Sequence, residues 1–161
     1  MVAEIIKLKE CIDEKRPFQS KGDVVNYYLK IENKNLNIVK FDADCIKDKL
    51  KITHRIGDNF FNISKGGGVQ KIEKWILVET KGRGNDYFEQ LEKSLSLFDD
   101  ADCSIHGRYV GKNVPSILKS NERKAFDKLQ QKFIVKKGTL YIRNRNVVER
   151  IFDINKMDFE K

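Results

Sequence analysis

Two carboxylates and an amine stand at the ends of apolar runs in the first half of the chain. Glu79 and Lys81 close the run Trp75-Ile76-Leu77-Val78-Glu79-Thr80-Lys81. Lying two apart, they share one side of an extended chain while Thr80 faces the other. Asp58 precedes a second apolar segment, Phe60-Phe61-Asn62-Ile63, and follows Gly57, whose missing side chain lets backbone come close to a bound ion. Twenty residues separate Asp58 from Glu79, and Gly66-Gly67-Gly68 between them is a turn signal, so neighbouring strands would bring both acids to one spot. Asp58, Glu79 and the carbonyl of Thr80 form a hard oxygen set that selects Mg²⁺ or Mn²⁺ over Zn²⁺. Such an ion polarises a phosphate oxygen and lowers the pKa of bound water. Lys81 beside it would hold or deprotonate the attacking water, and the chemistry would be phosphodiester hydrolysis.

These residues need elements to hold them. Four large apolar residues from Trp75 to Val78 predict a strand buried on both faces in the middle of a sheet. After Gly82-Arg83-Gly84-Asn85, Asp86 is an N-cap residue with Glu89 three residues on. Phe88, Leu91, Leu95 and Phe98 then recur at helical steps, which predicts a helix to about Phe98 with Gln90 and Ser94 together on an adjoining face. Asp at the start of one strand, acid-x-Lys at the end of the next (Glu79-Thr80-Lys81), then a helix carrying Gln90, resembles the PD-(D/E)XK, or restriction-endonuclease-like, nuclease superfamily. The resemblance spans roughly Ile52 to Phe98. It implies an α/β (α+β) fold with a central mixed β-sheet flanked by helices, and a metal-dependent nuclease acting on nucleic acid, DNA before RNA, with the choice between the two left open. It assigns Asp58, Glu79, Lys81 and Gln90 to catalysis, with Gln90 orienting the lysine or the nucleophile, and Asp58, Glu79 and Thr80 to the metal. A further acid from the first helix often joins such sites, with Glu4, Glu10 and Glu14 as the choices here. Asp42 and Asp44 rival Asp58 for the aspartate role. His54, four residues before Asp58, reads as a surface residue.

Elsewhere the pattern predicts a first helix over residues 2 to 14, ended by Pro17. A hairpin follows between 23–31 and 36–41, turning at Asn33-Lys34-Asn35. Residues 103 to 110 alternate as a strand, and Ala125, Phe126, Leu129 and Phe133 mark a helix over 121–133. A late hairpin is expected from Ile134-Val135 through Lys136-Lys137-Gly138 to Thr139-Ile142, with an apolar tail, Val147 to Phe159, that docks. Gly66-Gly67-Gly68 is not a phosphate-binding loop, because no Gly-Lys-Ser or Gly-Lys-Thr follows it.

The chain has 161 residues, enough for a single domain over 1–161. Charged residues make up 35%, and no apolar run is long enough to span a bilayer; with no signal peptide at the start, the expectation is a cytoplasmic protein. Cys11, Cys45 and Cys103 are odd in number and far apart, so they are expected to be reduced, buried thiols. Net charge is +8, and it is uneven: residues 104 to 161 carry fourteen Lys and Arg against six Asp and Glu. A basic final third points to nucleic acid as partner, through counterion release at phosphates. Its expected contacts are Arg83, Arg108, Lys112, Lys119, Arg123, Lys124, Arg143 and Arg145, with Arg108 and Lys112 on the rim of the cleft. No zinc finger, helix-turn-helix or aromatic single-strand platform is written in the sequence. Two other classes stay open beside the enzyme: a non-catalytic nucleic-acid-binding module, and a protein-interaction domain of immunity or regulatory type. Whether the chain dimerises to make paired cuts stays open too.

Overall fold

The computed structural model describes residues 1–22, 25–66, 71–81, 88–112, 114 and 118–160. The strand over the Trp75 run is present as β5 (Ile72–Lys81), third of five in the larger sheet. Around it lie β3 (Leu36–Asp42), β4 (Asn59–Lys65), β6 (Ser104–Gly111) and β7 (Leu140–Asn144), in the order β3-β4-β5-β6-β7. β3, β4 and β5 run antiparallel, whereas β5, β6 and β7 run parallel. Parallel neighbours need crossover connections. α3 (Glu89–Ser96) and α4 (Ser120–Val135) supply them, so the sheet is mixed because its second half is wound with helices.

Both faces of that sheet are covered. On one face, Phe60, Trp75, Leu77, Ile105 and Tyr109 pack with Ile5 of α1 (Val2–Lys7), Ile46 of α2 (Ala43–Lys49), Leu91 of α3 and Phe133 of α4. The other face carries Phe61, Ile63, Ile76, Val78 and Val110. It packs against a second sheet of β1 (Gln19–Lys21), β2 (Asn26–Ile31), β8 (Asn146–Asp153) and β9 (Lys156–Phe159), through Tyr27, Leu29, Val147 and Ile151. The chain is therefore mixed α+β, with helices, a large mixed sheet and a small mixed sheet stacked as three layers. Among the described residues no helix is long and apolar enough to cross a membrane.

Several local expectations change. β2 and β3 are not a hairpin: β2 pairs with β1 and β8, and β3 pairs with β4. The cause is burial. In β2, buried Tyr27 and Leu29 alternate with exposed Tyr28 and Lys30, which suits a sheet covered on one side. β3 sends Phe41 and Val39 to the helical side and Leu36 and Ile38 to the other, so the turn at residues 32–35 passes between layers. The late hairpin is also absent. α4 runs on through Ile134 and Val135, both exposed, then Lys137 takes a left-handed backbone (φ 59°), and β7 returns parallel to β6. The apolar tail docks as β8 and β9, with β8 in the middle of the small sheet. The first helix stops at Lys7, and a short 3₁₀ turn at Lys9–Cys11 follows. α2 was not read from the sequence; Asp42 caps it, accepting from the N–H groups of Asp44 and Cys45. Cys11 and Cys45 form a disulfide between the 3₁₀ turn and α2, with Cα atoms 5.4 Å apart, while Cys103 is free. The odd count and wide spacing hid that pairing.

Candidate functional site

β4 and β5 are antiparallel with Asn59 opposite Val78, which carries Asp58 past the end of β4 beside Glu79 and Thr80. The Asp58 N–H donates to the Val78 carbonyl (2.9 Å), prolonging the ladder by one bond. Its Oδ2 accepts from the Thr80 N–H (2.6 Å) and the Thr80 hydroxyl (2.8 Å). The carboxylate thus takes the place a further strand residue would fill. Oδ1 accepts no hydrogen bond among the described residues.

Gly57 makes this approach work. A Cβ there would lie 3.0 Å from the Val78 carbonyl oxygen and 3.2 Å from Ser94 Oγ. The Gly57 N–H donates to Ser94 Oγ (2.6 Å), and that hydroxyl donates to the Gln90 carbonyl (2.9 Å). Ser94 is fully buried. α3 therefore grips the turn before Asp58 through a serine that the sequence showed only as a neighbour of Gln90. Gln90 itself sits half-buried in the first turn of α3.

Trp75, Leu77 and Glu79 follow one side of β5, the helical side. Glu79 is 1% exposed, and Lys81 Nζ lies 3.9 Å from its Oε1. Burial pushes the Asp58 carboxyl above the ordinary aspartate range, and the Asp44 charge adds to this. Bonds from Thr80 and the charge of Lys81 act in the opposite sense. Lys81 is thus the shared neighbour: its ammonium is beside Glu79 and its field reaches Asp58. Oxygens that would suit a hard divalent ion are the buried Glu79 carboxylate, on the helical side of β5, and the Asp58 carboxylate, which the Thr80 hydroxyl holds toward the other side of the strand. Among the described residues no group of three or more His, Cys, Asp or Glu gathers at one point, so any such ion would lean on backbone and water as well.

Asp58 also opens onto a polar cleft of about 410 Å³, lined by Asp13, Arg16, Lys40, Asp42, Asp44 and Thr80 among others. Asp44 reaches this cleft beside Asp58; Asp42 is committed to capping α2. Glu4, Glu10 and Glu14 are all exposed, and the N-terminal acid that does enter the cleft is Asp13. Its partner is the buried Lys40 (2.8 Å), whose hydrogen bond holds the Asp13 carboxyl below its usual range. His54 is exposed, as expected.

The basic residues scatter more than the sequence implied. Arg108 is no rim cation: it is 2% exposed and faces the small sheet. Its Nε and Nη2 donate to Glu149 of β8 at 2.9 and 3.0 Å, and Nη1 donates to the carbonyls of Gly107 and Thr139. Glu149 also accepts from the Tyr27 hydroxyl, so this cluster ties the two sheets together. The β6 alternation put Arg108 and Val110 on one face, and a second sheet covers that face. Lys112 is half-buried at the end of β6, its N–H donating to the Lys81 carbonyl (3.3 Å). Lys119, Arg123 and Lys124 are exposed at the start of α4, Arg143 is exposed within β7, and Arg145 is exposed just after it. Arg145, with φ 60°, is where the chain leaves the large sheet for the small one. Arg83, Asp86 and most of the glycine run lie outside the described residues.

No family model, curated protein or solved structure matches the chain.

Proposed function

We propose that the chain is a metal-dependent nuclease of restriction-endonuclease-like build that hydrolyses phosphodiester bonds of nucleic acid, DNA before RNA. The observation that carries this reading is the position of Lys81, beside buried Glu79 and within electrostatic reach of Asp58, at the mouth of the central strand. Element order supports it: Asp58 leads into one strand, Glu79-Thr80-Lys81 ends its antiparallel neighbour, and the next helix carries Gln90.

In this reading Asp58, Glu79 and the Thr80 carbonyl would hold Mg²⁺ or Mn²⁺. When bound, the ion would supply Lewis-acid polarisation of a phosphate oxygen and a more acidic water. The other steps belong to the chain. Lys81 holds the attacking water and steadies charge on the phosphate in flight. Thr80 fixes the Asp58 carboxylate, and Ser94 fixes the turn that presents it. Gln90 orients the lysine or the nucleophile.

Mn²⁺ titration and cleavage of plasmid, linear duplex and single-stranded substrates test the reading together. Wild type is expected to bind Mn²⁺ and cut at least one substrate. Asp58→Ala loses the ion, and Glu79→Ala and Lys81→Ala lose cleavage by about a hundredfold or more, as expected for removal of a charge aimed at the transition state. Cleavage that survives both substitutions would overturn the assignment. Absence of any cutting, with nucleic-acid binding retained, would point to the non-catalytic module.

A further inference from the structure

The positive charge of the C-terminal third collects on one element. Residues 119–137, which are α4 and its flanks, carry seven Lys and Arg against two acids, a net +5 of the whole chain's +8. Other cations of that third are already engaged: Arg108 is buried on Glu149, Arg150 pairs with Glu32, and Arg143 lies over the rings of Tyr141 and Phe159. The apolar positions of α4 decide where its charges go. Ala125, Phe126, Leu129 and Phe133 pack into the core on the helical side of the large sheet. Lys119, Arg123, Lys124, Lys128 and Lys132 are therefore all turned outward and exposed.

That outer face repels itself. Lys124, Lys128 and Lys132 recur every four residues, which makes each the surface neighbour of the next, and like charges at this spacing destabilise a helix. Lys132 meets Glu92 of α3 (2.6 Å), and Arg123 meets Asp127 (3.2 Å). Both pairs are exposed, so they hold weakly and are exchangeable for a phosphate. Among the described residues Lys119, Lys124 and Lys128 pair with no carboxylate. A polyanion laid along the row would relieve the repulsion and release counterions as it bound.

The same face selects among polyanions. A helix that binds anionic lipid inserts its apolar side, and the apolar side of α4 is packed on the sheet, leaving only Ile134 and Val135 exposed in its last turn. Single strands are held by stacking on open rings, and no aromatic residue of α4 is exposed. Duplex phosphates need neither. The placement also suits the candidate site: β6 and β7 are parallel, so α4 runs back from the end of the sheet where Lys81 is in register with Gly111. Phe126, in the first half of α4, meets the ring of Phe88 just before α3 (6.1 Å), on the side of the sheet that Glu79 shares with Trp75 and Leu77. We infer that the outer face of α4 docks the phosphate backbone of a nucleic-acid duplex, with Arg123, Lys124 and Lys128 as its main contacts. The inference rests on the proposed nuclease reading for what the duplex meets at Lys81, but not for the docking itself.

The test separates docking from cutting. In EDTA, fluorescence anisotropy follows a labelled hairpin duplex and an oligothymidylate across a salt series. Wild type is expected to bind the duplex more tightly. Lys124→Gln with Lys128→Gln should reduce the slope of log affinity against log salt by about 1.8, about 0.9 per lost phosphate contact, which at 0.1 M salt is a loss of about sixtyfold when affinity at 1 M is unchanged. Lys34→Gln with Lys65→Gln removes the same charge at exposed positions at the β3–β4 end of the sheet, and should change affinity less than about twofold because distant charges are screened. Lys128→Glu sets a carboxylate between Lys124 and Lys132, so the thermal midpoint should hold or rise while duplex binding falls, which no folding defect would produce. Equal losses in the two double variants, duplex binding by Lys128→Glu like that of wild type, or a wild type that binds no duplex overturns the inference. So does preference for the single strand, or displacement of the duplex by polyglutamate or phosphatidylserine vesicles at matched charge, which would indicate an acidic protein or a membrane instead. If the binding pattern holds and wild type cuts nothing in Mg²⁺ or Mn²⁺, the nuclease reading fails while this one stands. If wild type cuts and the Lys124 and Lys128 double variant binds and cuts the duplex equally well, the reverse is true.

Discussion

Ser94 shows how much of a site can depend on one hydroxyl distant from the chemistry. It accepts the Gly57 N–H and donates to the Gln90 carbonyl, linking α3 to the turn that aims Asp58. In Ser94→Ala the Gly57 N–H loses its acceptor inside a buried turn, which costs about 1–3 kcal/mol. Because that turn positions Asp58, the proposed metal ligand, Mn²⁺ affinity is expected to drop about tenfold as well, the lower end of what supporting partners contribute at metal sites. Urea denaturation and Mn²⁺ titration of the same preparation check both effects. A variant that loses stability but binds Mn²⁺ like wild type would make Ser94 purely structural.

At the scale of elements, the crossovers that make β5, β6 and β7 parallel set where the candidate residues meet. The second crossover ends at Gly138, whose N–H donates to the Phe133 carbonyl (2.9 Å). A Cβ at Gly138 would fall 1.6 Å from the Ile105 carbonyl oxygen, a backbone atom that no rotamer change can move aside. Gly138→Ala is therefore expected to cost about 3 kcal/mol, the upper end of typical overpacking, by forcing β7 away from β6. Chemical denaturation measures this, and a loss below about 1 kcal/mol would show that the α4–β7 connection yields easily. The disulfide between Cys11 and Cys45 works at the same scale, holding the N-terminal turn against α2 beside the cleft that Asp13 and Asp44 enter.

Across the whole molecule, the interface between the two sheets is apolar over much of its area and ionic where Arg108 meets Glu149. His106 lies near that ionic region. Its Nδ1 accepts from the Thr139 N–H (3.2 Å), so Nε2 carries the proton, toward Ser104 Oγ (3.2 Å). Burial, then the charges of Arg108 and Lys74, depress its pKa from 6.5 to about 3. The folded chain thus refuses a proton that the unfolded chain accepts, so this stabilisation is complete above pH 6.5 and is lost as pH falls toward about 3. The slope is about 1.4 kcal/mol per pH unit. Replacing His106 with Gln should flatten the acid side of the stability curve by that amount, measured by urea midpoints from neutral pH down to about pH 4. Parallel curves for the two proteins would show that His106 titrates freely in the fold.

Much of the architecture was legible because burial leaves a local signature. The continuous apolar run at Trp75–Val78 marked the central strand, the three- and four-residue recurrence of Phe88, Leu91 and Leu95 marked α3, and the alternation after Cys103 marked β6. Glu79 and Lys81 were fixed at the end of that strand by the same pattern. What the sequence could not decide was which layer covers each face. Arg108 looked like a surface cation until a second sheet, built from β2 and β8, enclosed it with Glu149, 41 residues away. The β2–β3 hairpin failed because a turn signal says that the chain reverses but not into which sheet. The Cys11–Cys45 bond, the Asp58 carboxylate on Thr80 and the Ser94 grip on Gly57 join residues 22 to 37 apart. Periodicity within one element cannot report such pairs, since they exist only once the layers have packed.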